Sequence, residues 1–207
     1  RPAVVAAAVR VDLGVIALAE PPARAEQRRV RHLGVGRRGD RPAQRHAVEA
    51  VHDRRQVHLA GGVDDTTTVV RVPASFTGEI ELHSDSGDVV AADVRELAGL
   101  FASTSNGDVI AKNVSATKLD AINENGDTLL SGVESEAILA TNFNGDISLG
   151  GATARKAQVV NENGDIMLVD MSLKSALTCN SVNGDISAQR LDVVTSSVEN
   201  ANGALEA

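Results

Sequence analysis

From Ile80 onward, apolar residues recur at every second position in short runs, and the runs themselves recur. One series holds Ile80 and Leu82, Leu100 and Ala102, Leu119 and Ala121, Ile138 and Ala140, Ala157 and Val159, and Leu177 and Cys179. A second holds Val89 and Ala91, Val109 and Ala111, Thr128 and Leu130, Ile147 and Leu149, Ile166 and Leu168, and Ile186 and Ala188. A third column follows at Val94, Val114, Val133, Ala152, Met171 and Leu191. Ser, Asn, Glu, Lys and Asp stand between them. A period of two belongs to a β-strand with one buried face, so each unit predicts two strands of about five residues. No stretch after residue 61 has apolar residues at helical spacing. This part reads as all-β.

Between the two series one phrase keeps returning. It runs Ser86-Gly87-Asp88, Asn106-Gly107-Asp108, Asn125-Gly126-Asp127, Asn144-Gly145-Asp146, Asn163-Gly164-Asp165 and Asn183-Gly184-Asp185, with a degenerate copy at Asn202-Gly203. The glycines lie 20, 19, 19, 19, 20 and 19 residues apart. A period that constant marks a structural repeat. Gly accepts positive φ and Asn tolerates it, so the phrase predicts one turn. Ser131-Gly132, Gly150-Gly151 and Val169-Asp170 mark a second, looser turn.

Two architectures fit. In an antiparallel meander or β-sandwich, Asn-Gly would close two-residue hairpins and unlike strands would pair. In a parallel, β-helix-like solenoid each coil advances by one strand spacing, about 4.8 Å, and equivalent residues stack. The like-with-like columns favour the solenoid, because a meander gains nothing from repeating a residue type at one place. The expected fold is therefore a β-solenoid of six to seven coils over residues 61–207, cut short at its C-terminal end. Each 19- to 20-residue coil holds two short strands.

Composition supports a narrow interior. The 207 residues include no Trp or Tyr and only three Phe, so Val, Ile, Leu and Ala must fill the core. The single Cys179 excludes an intramolecular disulfide, and its inward column reads it as a small buried residue rather than a nucleophile. No apolar run approaches the roughly 18 residues of a membrane helix. Membrane attachment would need segments outside this chain.

Residues 1–60 differ in kind. They contain twelve Arg and six acids, a charge of +6, whereas residues 61–207 carry eight basic and twenty-two acidic residues, or −14. Apart from Ile16, every residue from 1 to 60 can be encoded by a codon beginning with G or C. A GC-rich wobble position looks like this when read out of frame, so the leading reading is a mistranslated segment. A basic low-complexity arm or a helix over 43–57 are the rivals. Nucleic acid is not an expected partner, since the Arg residues lack aromatic interleaving and acids interrupt them throughout.

No catalytic motif stands out. The chain has no His-Glu-x-x-His, no paired Cys-x-x-Cys, no phosphate loop and no Gly-x-Ser-x-Gly. It predicts no enzyme and no cofactor. The chemically loaded feature is the Asp column: Asp88, Asp108, Asp127, Asp146, Asp165 and Asp185. Each carboxylate is expected to accept a backbone N–H at its own turn. The sharper alternative is a Ca²⁺ ladder on Asp108, Asp127, Asp146, Asp165 and Asp185, Ca²⁺ being a hard cation that takes oxygen ligands. The Asn column is read as stacked turn residues that hydrogen-bond along the stack.

The phrases Glu124-Asn125-Gly126-Asp127, Phe143-Asn144-Gly145-Asp146-Ile147 and Val182-Asn183-Gly184-Asp185-Ile186 resemble a bacterial family, the β-strand-repeat domain of unknown function labelled an adhesin. The entry segment from Val70 to Val89 looks like that family's first repeat, and the resemblance covers about residues 64–207. It implies a β-solenoid, often in envelope-associated proteins, with no established activity or ligand. The expected function is a non-enzymatic surface or envelope module that contacts a protein or glycan. The alternatives are an intracellular scaffold of the bactofilin kind, self-associating through uncapped coil ends, and a glycan-binding or glycan-processing β-helix.

Overall fold

A computed structural model describes residues 7–11, 56–61, 68–72 and 76–206, with side chains from 76 onward. Three strands come first: β1 (Ala7–Val11), β2 (Gln56–Gly61) and β3 (Thr68–Val72). The repeat then runs β4 (Glu79–Ser84), β5 (Val89–Ala92), β6 (Leu97–Thr104), β7 (Val109–Lys112), β8 (Ser115–Asn125), β9 (Thr128–Ser131) and β10 (Glu134–Asn144). It continues with β11 (Ile147–Gly150), β12 (Thr153–Asn163), β13 (Ile166–Asn183), β14 (Ile186–Asn202) and β15 (Leu205–Glu206).

Like pairs with like. The even-numbered strands β2, β4, β6, β8, β10 and β12 stack in order and end on β13, while β5, β7, β9 and β11 form a second stack that also ends on β13. All these pairings are parallel, one coil out of step. Ile138 lies between Leu119 and Ala157, and Ile147 lies between Thr128 and Ile166. The chain is an all-β solenoid, not a meander.

The short strands have four residues, but β8, β10 and β12 have eleven, longer than the two runs of about five that the alternation marks. The difference is physical. A parallel partner one coil away supplies hydrogen bonds through a bend as well as along a straight run, so pairing continues where the apolar alternation lapses. In β13 and β14 it continues round the whole second turn. The 20-residue coil between Gly164 and Gly184 absorbs its extra residue as a register shift between Leu173 and Ala176, a bulge of the kind that an unmatched residue produces.

The inward columns meet in one core. Leu82, Val89, Val109, Leu130, Leu149, Leu168 and Cys179 are each fully buried. Within this core Cys179 is a free thiol, and burial pushes its pKa up to about 11 from 9.0. Above about pH 9 an exposed thiol ionises while this one stays protonated, so alkali between these values favours the unfolded chain. A thiol-specific reagent should therefore modify Cys179 only in denaturant. Stoichiometric labelling of the folded chain would contradict its burial.

The stack also reaches back across the composition break at residues 60 and 61. β2 pairs with β4 in the coil register, Val57 beside Ile80 and Leu59 beside Leu82. β1 runs antiparallel between β3 and β5. The reading of residues 1–60 as a mistranslated segment or a basic low-complexity arm otherwise lies outside the described residues.

Candidate functional site

Each coil turns at a glycine with positive φ, between +119° and +151° at Gly87, Gly107, Gly126, Gly145, Gly164, Gly184 and Gly203. The turn brings three polar columns together, and each column bonds from coil to coil.

The first is the Asp column. Asp88 Oδ1 accepts the backbone N–H of Asp108 at 2.9 Å, and the pattern repeats from Asp108 to Asp127, Asp127 to Asp146, Asp146 to Asp165 and Asp165 to Asp185 at 2.8–2.9 Å. Asp185 Oδ1 accepts from Ala204 at 2.7 Å. The expected bond within each turn is thus replaced by a bond to the next turn. Carboxylates about 4.8 Å apart repel by ~1 kcal/mol in a water-like dielectric. A hydrogen bond to a charged acceptor contributes ~1.5–3 kcal/mol. By these magnitudes the bond outweighs the repulsion at each rung. Among the described residues no three His, Cys, Asp or Glu side chains converge as a metal site.

The second column is Asn on the outer side of the turn. Asn144 Nδ2 donates to Asn125 Oδ1 at 3.0 Å, Asn163 to Asn144 at 3.1 Å, and Asn183 to Asn163 at 3.0 Å. The stacked amides expected from the repeat are present.

The third column is buried and polar, and the alternation does not announce it. Asn123, Asn142 and Asn161 point inward with at most 1% exposure. Their Nδ2 groups donate to the carbonyls of Gly107, Gly126 and Gly145 in the preceding coil at 2.8–3.0 Å. Asn200 does the same to Gly184 at 2.9 Å. In the sixth coil the position holds Ser181, whose buried Oγ has no partner. Ser181→Asn should restore the donor to the Gly164 carbonyl and raise stability by about 1 kcal/mol. Urea unfolding measures this, and a destabilised variant would show that the column has no room there.

A groove of about 600 Å³ runs along the outer Asp column. Asp127, Asp146 and Asp165 form one side, and the outward residues Ile110, Leu129 and Met167 form the other. Met167 is 48% exposed. The surface is linear, acidic and partly aliphatic. At the opposite turn the left-handed residues Asp170 and Arg190 pair, Arg190 Nη2 lying 2.9 Å from Asp170 Oδ2. That hydrogen bond holds the Asp170 carboxyl below its ordinary range.

A family model described as Toastrack DUF4097 matches residues 48–201, which hold every coil from β2 to nearly the end of β14. The chain belongs to the Toastrack family. No curated protein and no solved structure matches it. The Toastrack domain is one of unknown function, so the site's chemistry rests on its geometry.

In this Toastrack chain the Asp column gives a direct test. Asp146→Asn keeps an acceptor for the Asp165 N–H and should cost a few tenths of a kcal/mol, whereas Asp146→Ala should cost ~1–2 kcal/mol. Millimolar Ca²⁺ should raise the melting temperature no more than sodium chloride of matched ionic strength. A specific Ca²⁺ effect, together with a loss above about 2 kcal/mol in Asp146→Asn, would make the column a ligand set.

Proposed function

We propose that this domain is a non-enzymatic contact module in the bacterial envelope or outside the cell, presenting a stiff acidic face to a protein or glycan surface. The observation that supports it is the groove along the Asp column. Its carboxylates are aligned by backbone bonds, and the exposed Met167 and the half-buried Ile110 and Leu129 lie beside them. An extended face of this kind suits contact over several coils better than enclosure of a small substrate. Antibody labelling of intact bacteria that produce the native gene tests the location. Labelling of intact cells supports the reading, and labelling only after permeabilisation overturns it.

One observation favours the scaffold reading. Among the described residues, the outer edge of β14 pairs with β15 only at Ile186 and Ser187. Leu191, Val193 and Val198 of this coil are only partly buried. A parallel edge of this length could accept a second copy through β2. Concentration-dependent filaments in electron micrographs would support end-to-end assembly, and a monomer at high concentration would exclude it.

A further inference from the structure

The outward face of the first coils carries a relay that the repeat does not require. His83 at the end of β4 and Ser103 on β6 are direct partners in the parallel register. Ser103 Oγ lies 2.8 Å from His83 Nδ1, and His83 Nε2 lies 3.3 Å from Asp85 Oδ1. Later coils place Ile122, Thr141, Val160 and Asn180 in the same column, none of them a base. Asp85 favours the tautomer with the proton on Nε2, which leaves the Nδ1 lone pair facing the hydroxyl. A serine hydroxyl is a weak nucleophile until an adjacent base takes its proton as attack proceeds. Ser103 is 8% exposed and faces outward between the half-buried Phe101 and Ile122, which offer an apolar shoulder to an acyl chain.

We propose that Ser103 is an acyl-acceptor site, modified by activated carboxylic esters with His83 as the base. A bond forms between Ser103 Oγ and the ester carbonyl carbon, and the bond from that carbon to the leaving oxygen breaks. The hydroxyl proton passes to His83 Nδ1 and then to the departing oxygen, while Asp85 stabilises the transient imidazolium. The backbone N–H groups around Ser103 belong to the ladders with β4 and β8, so no preformed donor pair awaits the developing oxyanion. That lack leaves hydrolysis of the acyl-serine slower than its formation by an activated ester, whose good leaving group makes attack the easier step. The product is a stable acyl-serine, one transfer per chain rather than turnover, and this extends the non-enzymatic reading without depending on it.

The test treats the full chain with p-nitrophenyl acetate and follows nitrophenolate release, intact mass and the position of the acetyl group by peptide mapping. The expected result is one fast equivalent, with the acetyl on Ser103 and not on Ser105 of the same strand end. Ser103→Ala should abolish the fast phase, and His83→Gln should slow it by about 10²-fold. Asp85→Asn should slow it less, because its side chain is 63% exposed. Both histidine and serine variants replace outward groups, and their melting curves check the fold. Acetyl groups only on Lys112, Lys118, Lys156 and Lys174, equal labelling of Ser103 and Ser105 in the unmodified sequence, or an unchanged rate in His83→Gln would each overturn the proposal.

Discussion

Gly145→Ala is expected to lose about 4 kcal/mol, enough to unfold much of the stack, although it adds a single methyl group. The added Cβ would sit 2.2 Å from the Gly126 carbonyl oxygen and 2.7 Å from its carbon. Both are backbone atoms, held by the ladder and by the Asn142 amide, so they cannot rotate away. The φ of +129° adds a separate cost, since side chains with a Cβ rarely adopt it. Gly150→Ala is the control. Nothing lies within 4 Å of its Cβ position, and the substitution should be neutral or stabilise by about 0.5 kcal/mol through the unfolded chain. Urea unfolding of the two variants measures the contrast. A loss below about 1 kcal/mol for Gly145→Ala would show that adjacent turns do not stack this closely.

Leu168→Asp should be as damaging, with an expected loss above about 4 kcal/mol. Leu168 is fully buried between Leu149 and Ala188 of the adjoining coils, and neither offers a partner for a carboxylate. The next residue faces the other way. Met167→Lys places its charge in solvent beside the acidic groove and should change stability by less than about 0.5 kcal/mol. Equal tolerance at the two positions, read from denaturant midpoints, would reverse the assignment of inward and outward faces.

The inward columns were legible because period-two alternation and a fixed coil length report the same geometry twice. Leu82, Leu149 and Leu168 could be placed from either. The Asn column was legible for a similar reason, as identical amides at one position imply identical surroundings. Asn123, Asn142 and Asn161 were not found, because a polar residue between polar neighbours reads as solvent-facing. Yet they lie two residues beyond Ala121, Ala140 and Val159, on the inward parity, and strict counting through the turn would have located them. The partner of each Asp was also missed. Turn preference predicts a local acceptor, while the stacked geometry brings the next coil's N–H within reach. His83 and Ser103 lie in a single pair of coils, so no periodic signal could expose them.

The hydrogen bonds of the turn also set how the protein responds to force. Asp, Asn and Gly groups bond mostly to the neighbouring coil, sixteen to twenty-one residues away. Within their own coil, among the described residues, only Asn123, Asn142 and Asn200 reach a carbonyl four residues on. A coil detached from the stack therefore keeps little to preserve its shape. Tension applied beyond Glu206 should peel β15 and then β14 and release one coil at a time, each freeing about 65 Å of extended chain for its 19 residues. Traction across the axis would instead load a whole row of parallel bonds at once. The domain would thus unravel stepwise when stretched lengthwise and resist shear across its faces.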